Sequence, residues 1–115
     1  MKEKKFKAIN LIRELIVRID KQLDNFPRKD IEIKNKVRYL TYELLEFVYE
    51  ANTISNNELK VNLIDKSIAK IKVIDFLINL SYDKEIINHK RYIKFGEAMD
   101  EILKYLIGWK NSINQ

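Results

Sequence analysis

The sequence contains no cysteine, and this absence excludes several kinds of site at once. Without thiols the chain cannot form disulfides, bind metal through thiolates or use a cysteine nucleophile. Its single histidine, His89, leaves a histidine-rich metal site or a serine and histidine catalytic arrangement with almost nothing to be built from. A reducing, intracellular compartment fits this composition.

Glycine and proline are also scarce, with two glycines and one proline in 115 residues. Phosphate-binding loops, dinucleotide fingerprints and nucleophile elbows all need glycines that are absent here. We therefore expect a protein that is not an enzyme, with no catalytic residues, no cofactor and no metal. Few turn-forming residues, with 34% charged and 46% apolar residues, are typical of long helices in a single domain over residues 1–115.

Long apolar runs are missing as well. No stretch approaches the length of a membrane span. The N-terminus, MKEKKFKAIN, is basic, but charged residues interrupt the next part of the chain before the apolar core of a signal peptide can form. We therefore expect a cytoplasmic protein with no membrane partner.

The chain does contain four stretches in which apolar residues recur at alternating spacings of three and four, the pattern of an amphipathic helix. Each stretch predicts one helix whose apolar face must be covered by the others. In chain order their members are Ile9, Ile12, Ile16, Ile19, Leu23 and Phe26; Ile33, Val37, Leu40, Leu44, Phe47 and Ala51; Val61, Ile64, Ile68, Ile71, Ile74 and Ile78; and Tyr92, Phe95, Met99, Ile102, Leu106, Trp109 and Ile113.

Local signals predict where the first two helices end and begin. Pro27 cannot continue a helical hydrogen-bond ladder, so the first helix should stop near Asn25. Asp30 has the position of an N-cap for the second helix, which should end near Asn52.

The last two helices have similar signals. Ser55 followed by Glu58 has capping-box spacing, so the third helix should begin there and run to about Leu80. Asn88 should cap the fourth helix, in which Gly96 is a mid-helix glycine of the kind that often allows close helix approach. Four helices with short connections predict an all-α fold, an antiparallel up-down-up-down four-helix bundle.

The charge distribution gives the candidate site. Formal net charge is +5, and basic residues concentrate where the second and fourth helices begin. The predicted topology brings these two segments to one end of the bundle, where they would bind the phosphates of RNA or DNA. The alternative is an ordinary solvated surface. The candidate nucleic-acid-binding residues are Arg28, Lys29, Lys34, Lys36, Arg38, Lys84, Lys90, Arg91 and Lys94.

Other side chains are candidates for a site or an interface. The aromatic rings placed to stack on unpaired bases are Tyr39, Tyr82 and Tyr92, although core or interface positions are more common at this spacing. The glutamates of the second helix should be solvated or should pair with lysines. Apolar surface outside the main stripes, on the first, second and fourth helices, predicts a subunit interface.

Several segments together resemble a known family. They are NFPR at 25–28, YELLEFVYEAN at 42–52, KVIDFLINLSYD at 72–83, and KRY at 90–92 followed by GEAMDEILKYLIGWK at 96–110. In pattern and order they resemble the accessory variability determinant proteins of diversity-generating retroelements, over nearly the whole chain. The proline-arginine corner and the Gly108-Trp109 helix ending are the sharpest points of likeness.

The resemblance implies a four-helix bundle that assembles as a homopentamer, binds nucleic acid and associates with a reverse transcriptase. Such a protein assists the mutagenic copying of template RNA into complementary DNA without doing chemistry itself. Similar bundles include the proteins encoded by intervening sequences in ribosomal RNA genes. The alternative is therefore a structural or adaptor bundle that binds protein or ribosomal RNA.

Overall fold

The computed structural model describes residues 2–113 of the chain, with side chains over 6–113. Over these residues the chain forms four α-helices, one short 3-10 helix and no strand, so the predicted all-α class is confirmed for this part of the chain. The α-helices are α1 (Lys2–Gln22), α2 (Ile31–Thr53), α3 (Asn57–Asp83) and α4 (His89–Ile113); the 3-10 helix spans Arg28–Asp30.

Each helix packs against two of the others. α1 lies against α2 and α4, and α3 also lies against α2 and α4. The molecule measures 45 × 22 × 19 Å along its principal axes. Because a helix of 25 residues such as α4 is about 37 Å long, the helices follow the long axis of the molecule.

All four helices contribute to one apolar core. The α4 stripe is buried as predicted from Phe95 to Trp109, while its two end members, Tyr92 and Ile113, are half-buried. Burying one such side chain contributes about 1.5–3 kcal/mol, so the shared core is the main source of stability. Its largest fully buried side chains are Ile12, Leu15, Ile19, Leu23, Leu44, Ile64, Ile71, Ile74, Ile78, Phe95, Met99 and Ile102.

The buried faces of the first three helices differ from the predicted stripes at several positions. Besides the two residues described next, the members of these stripes that are only half-buried are Phe26, Ile33, Val61 and Ile68. In α1, Leu15 is buried and its predicted neighbour Ile16 is only half-buried. In α2, Val48 is buried in place of Phe47, whose ring lies 5.8 Å from the ammonium of Lys70. Each helix faces two neighbours, so the centre of its buried face is displaced from the stripe that a single partner would cover.

Two helix ends also differ from the predictions. α1 ends at Gln22, three residues before Asn25, and α3 continues to Asp83, three residues beyond Leu80. The α3 extension carries Tyr82 into contact with α4, and this packing explains why the helix outlasts its apolar stripe.

The helix caps are partly as predicted. Asn88 caps α4, since its Oδ1 accepts a hydrogen bond from the Arg91 backbone N–H at 2.8 Å. At the start of α3 the cap is Asn56 and not Ser55, because Asn56 Oδ1 accepts the backbone N–H of Leu59 at 3.0 Å. Either residue could cap by composition, but the backbone is extended at Asn56 and helical from Asn57 onwards, so Asn56 holds the cap position.

Gly96 does not have the packing role expected for it. A methyl group built at this glycine would meet no atom of another helix within 4 Å. The glycine therefore does not allow a close helix approach within the chain.

None of the described helices has the combination of length and apolar character that crossing a bilayer requires.

Candidate nucleic-acid interface

Two long-range contacts bring the basic segments to the same end of the molecule. The Arg91 guanidinium donates a hydrogen bond to the Gln22 carbonyl at 3.0 Å, which joins the start of α4 to the last residue of α1. The Lys84 ammonium lies 3.3 Å from the Asp30 carboxylate, which joins the end of α3 to the start of α2. We call this end, formed by the entries of α2 and α4, the end of α1 and residues 84–88, the basic end.

None of the nine candidate residues is buried. Lys34 and Arg38 are half-buried, and the other seven are exposed. They all keep access to solvent, so a polyanion can reach them. The seven exposed residues are Arg28, Lys29, Lys36, Lys84, Lys90, Arg91 and Lys94.

Two of the candidate cations are already compensated within the chain. Arg38 Nε lies 3.3 Å from Asp20, and its guanidinium donates a hydrogen bond to the Tyr42 hydroxyl at 3.3 Å. The Tyr42 hydrogen bond, with the Asp20 carboxylate behind it, raises the pKa of Arg38. Lys84 is paired with Asp30, whose carboxylate is almost buried. Arg38 and Lys84 therefore contribute less to the positive potential than their sequence positions predicted.

Asp30 occupies the predicted N-cap position of α2, but its side chain makes no capping hydrogen bond. The residue is only 8% exposed, and its carboxylate faces Lys84 instead of the backbone N–H groups of α2. A nearly buried carboxylate gains more from a cation than from one neutral donor. The prediction of the cap position is thus correct, and the prediction of the capping bond is wrong.

Arg91 has a structural role that sequence reasoning missed. The last carbonyl groups of a helix have no partner within the helix. Arg91 donates a hydrogen bond to one of these carbonyl groups, that of Gln22, and thereby connects α4 to α1 across 69 sequence positions. Its substitution would disturb the packing of the basic end as well as its charge.

A groove of about 490 Å³ lies between the last turns of α1 and the first turns of α4. We call it the α1/α4 groove. Four of its six lining residues are basic and none is acidic. They are Arg18, Gln22, Asn88, Lys90, Arg91 and Lys94.

Sequence reasoning missed Arg18 as a member of this site. Arg18 belongs to α1, and Asp20 and Asp24 follow it in the sequence, so the local charge gave no signal. Arg18 lies on the side of α1 that faces Lys94, and α1 ends at the basic end. The assumed topology, together with the helical position of Arg18, could therefore have identified this residue as part of the site. The charge of the groove comes from two helices that are remote in sequence.

The sign of the charge changes further along the same seam between α1 and α4. A neighbouring groove of about 230 Å³ shares Arg18 and Lys94 but is also lined by Glu14, Glu97 and Glu101. Phosphates are repelled by these carboxylates. The basic surface therefore ends about one helical turn beyond Lys94.

The three candidate tyrosines differ in their surroundings. Tyr82 and Tyr92 stack on each other with ring centroids 4.3 Å apart, and the Tyr82 hydroxyl lies 3.1 Å from Nδ1 of His89. One face of each ring is therefore occupied by the other. Tyr39 is 55% exposed, and the Lys36 ammonium lies 5.5 Å from its ring centroid. Tyr39 is the candidate whose ring is most accessible to a base.

The carboxylates of α2 include one clear lysine partner. Glu43 lies 3.0 Å from the Lys70 ammonium of α3, and this contact holds the pKa of Glu43 below its ordinary range. This agrees with the prediction that these glutamates pair with lysines. Among the described residues, no group of three or more acidic or histidine side chains is placed to hold a metal ion.

Comparisons with known proteins leave the family open. A scan against protein-family models finds no match, and searches of curated proteins and of solved structures find no similar chain.

Proposed function

We propose that this protein is a non-enzymatic, nucleic-acid-binding accessory protein of a diversity-generating retroelement. In this role it assists a reverse transcriptase in the mutagenic copying of template RNA into complementary DNA. One observation carries the nucleic-acid part of the proposal: two basic segments that are remote in sequence meet at the basic end, with solvent-accessible lysines and arginines.

The chemistry of this end suits a phosphate backbone. Lysine and arginine bind phosphates through charge and through release of condensed counterions, with little readout of base sequence. A net charge of +5 adds a long-range attraction for polyanions. The proposed ligand is therefore RNA or DNA bound through its backbone.

The retroelement, the reverse transcriptase partner, the homopentamer and the cytoplasmic location are proposed from the family resemblance of the sequence. The all-helical architecture is compatible with that resemblance. The contacts at the basic end fit helices that alternate in direction, and we propose the antiparallel up-down-up-down arrangement on that basis.

The test is a binding series with labelled RNA at increasing salt. If several phosphates are contacted, the logarithm of the affinity should fall linearly with the logarithm of salt concentration, by about 0.7 per phosphate for a single strand. An absence of binding at low salt, or an affinity that salt does not change, would contradict the proposal.

A second candidate is an adaptor bundle that meets protein. The outward face of α3 favours it, because Phe76 is 62% exposed and Val73 is 45% exposed. Exposed apolar residues that share one face indicate a protein contact more often than isolated ones do. The adaptor hypothesis predicts no RNA binding in the salt series, so the same measurement separates the two candidates.

A further inference from the structure

In the α1/α4 groove, cations without a carboxylate partner converge on one concave surface. Arg18, Lys90 and Lys94 form no ion pair with any residue that the structure describes, whereas Arg38 and Lys84 do. Unpaired cations that converge on a concave surface create a stronger local potential than the same charges on a convex one. The groove is thus where an anion gains most at this end.

The shape of the groove selects among nucleic acids. Its volume of about 490 Å³ falls within the range of about 300–1,000 Å³ that is usual for small-ligand sites. A duplex is a rigid cylinder about as wide as this bundle, whose short extents are 22 and 19 Å, so it could touch only the rim. A flexible single strand can bend its backbone into the groove and meet cations on both walls.

We infer that the α1/α4 groove binds the phosphate backbone of a single strand of nucleic acid. Arg18 acts from the α1 wall, and Lys90 and Lys94 act from the α4 wall. Arg91 is a positioning residue that holds the two walls together through the Gln22 carbonyl. This inference rests on the proposed function. It narrows the ligand to single-stranded nucleic acid and the binding site to one groove.

The acidic continuation of the seam limits the length of the site. Glu14, Glu97 and Glu101 lie where a longer strand would continue along α1 and α4. Like charges disfavour such a path. The groove therefore takes a short segment, with about three phosphates contacted by the three free cations.

The experiment uses the whole chain and a labelled oligouridylate, with affinity measured by fluorescence anisotropy across a salt series. The test variant carries Arg18→Gln, Lys90→Gln and Lys94→Gln and leaves Arg91 in place. Loss of three contacts should make the salt slope shallower by about 2, since each contributes about 0.7. Between about 50 and 200 mM salt, the wild type should lose about 20-fold more affinity than the variant does.

The matched control removes the same charge from surfaces away from the groove, through Lys66→Gln, Lys72→Gln and Lys104→Gln. These three lysines are exposed, and none lines the groove. The control should keep the wild-type slope. If the groove variant and the control have the same slope, the groove assignment is overturned, although the proposed function stands as long as the wild type binds.

A separate experiment tests the preference for single strands. The wild type should bind oligouridylate more tightly than a duplex of equal length, and the groove variant should lose that preference. Equal affinity of the wild type for both forms would overturn the single-strand inference. If the wild type binds neither form at low salt, both the groove inference and the proposed function are wrong. This outcome differs from equal binding of both forms, which contradicts the single-strand inference alone.

Discussion

Glu43 and Lys70 illustrate how individual charged side chains connect the helices of this bundle. The two groups lie 3.0 Å apart, between α2 and α3, and both remain partly exposed. A pair of this kind contributes little to stability because water screens it. Since the contact lowers the pKa of Glu43, its contribution is present near neutral pH and is lost as pH falls through that lowered pKa. The pair therefore helps to fix the alignment of α2 against α3 more than it raises the free energy of unfolding.

At Gly96 we predict that substitution by alanine stabilises the protein. The new methyl group meets no atom of another helix within 4 Å, and alanine is favoured over glycine in a helix interior by about 1 kcal/mol. Urea denaturation of the Gly96→Ala variant should show a free energy of unfolding higher by about that amount, with an unchanged m-value.

A lower stability of Gly96→Ala at dilute concentration would contradict this description of α4. A variant that is more stable as a monomer but assembles less well would instead place another subunit against this glycine.

At the scale of single helices, the start of α3 depends on one side chain. Asn56→Ala removes the acceptor for the Leu59 backbone N–H and should destabilise the protein by about 1 kcal/mol. Ser55→Ala is the natural control, because Ser55 makes no capping bond in this structure and its loss should change stability much less. Denaturant unfolding of both variants measures the difference. A larger effect at Ser55 than at Asn56 would restore the capping box predicted from the sequence.

The helices differ in how well the sequence predicted them. In α4 most apolar positions of the stripe, such as Phe95, Met99 and Trp109, have a polar or small neighbour on at least one side, so the buried residues from Phe95 to Trp109 could be predicted. In α1 the adjacent apolar residues Leu15 and Ile16 fit the spacing equally well, and only the packing of α2 and α4 decides between them. The same limit applies to the candidate site, because the role of Arg18 depends on which helix faces it.

At the scale of the whole molecule, the apolar groups left exposed predict self-association. On α2, Tyr39, Tyr42 and Tyr49 are each more than 40% exposed, and on α4 Ile93 and Ile107 are each more than 40% exposed. Exposed apolar side chains that recur along one helix are candidates for a subunit interface. Sedimentation at micromolar concentration should therefore give a mass above the 13.8 kDa of one chain.

The variant Tyr39→Ser with Tyr49→Ser should shift that equilibrium towards the monomer. Both side chains are exposed, so helicity should not change, and circular dichroism checks this control. A wild-type protein that sediments as a monomer would remove the basis for an assembly through this face.

The contact between Arg91 and Gln22 has a consequence for protein synthesis. It joins α1 to α4, which are made at different times, across 69 positions of the chain. One wall of the α1/α4 groove is therefore missing until translation has passed α4. A nascent chain that has not yet reached α4 holds Arg18 without its opposing lysines, so the α1/α4 groove that we propose for strand binding can form only after α4 has been made.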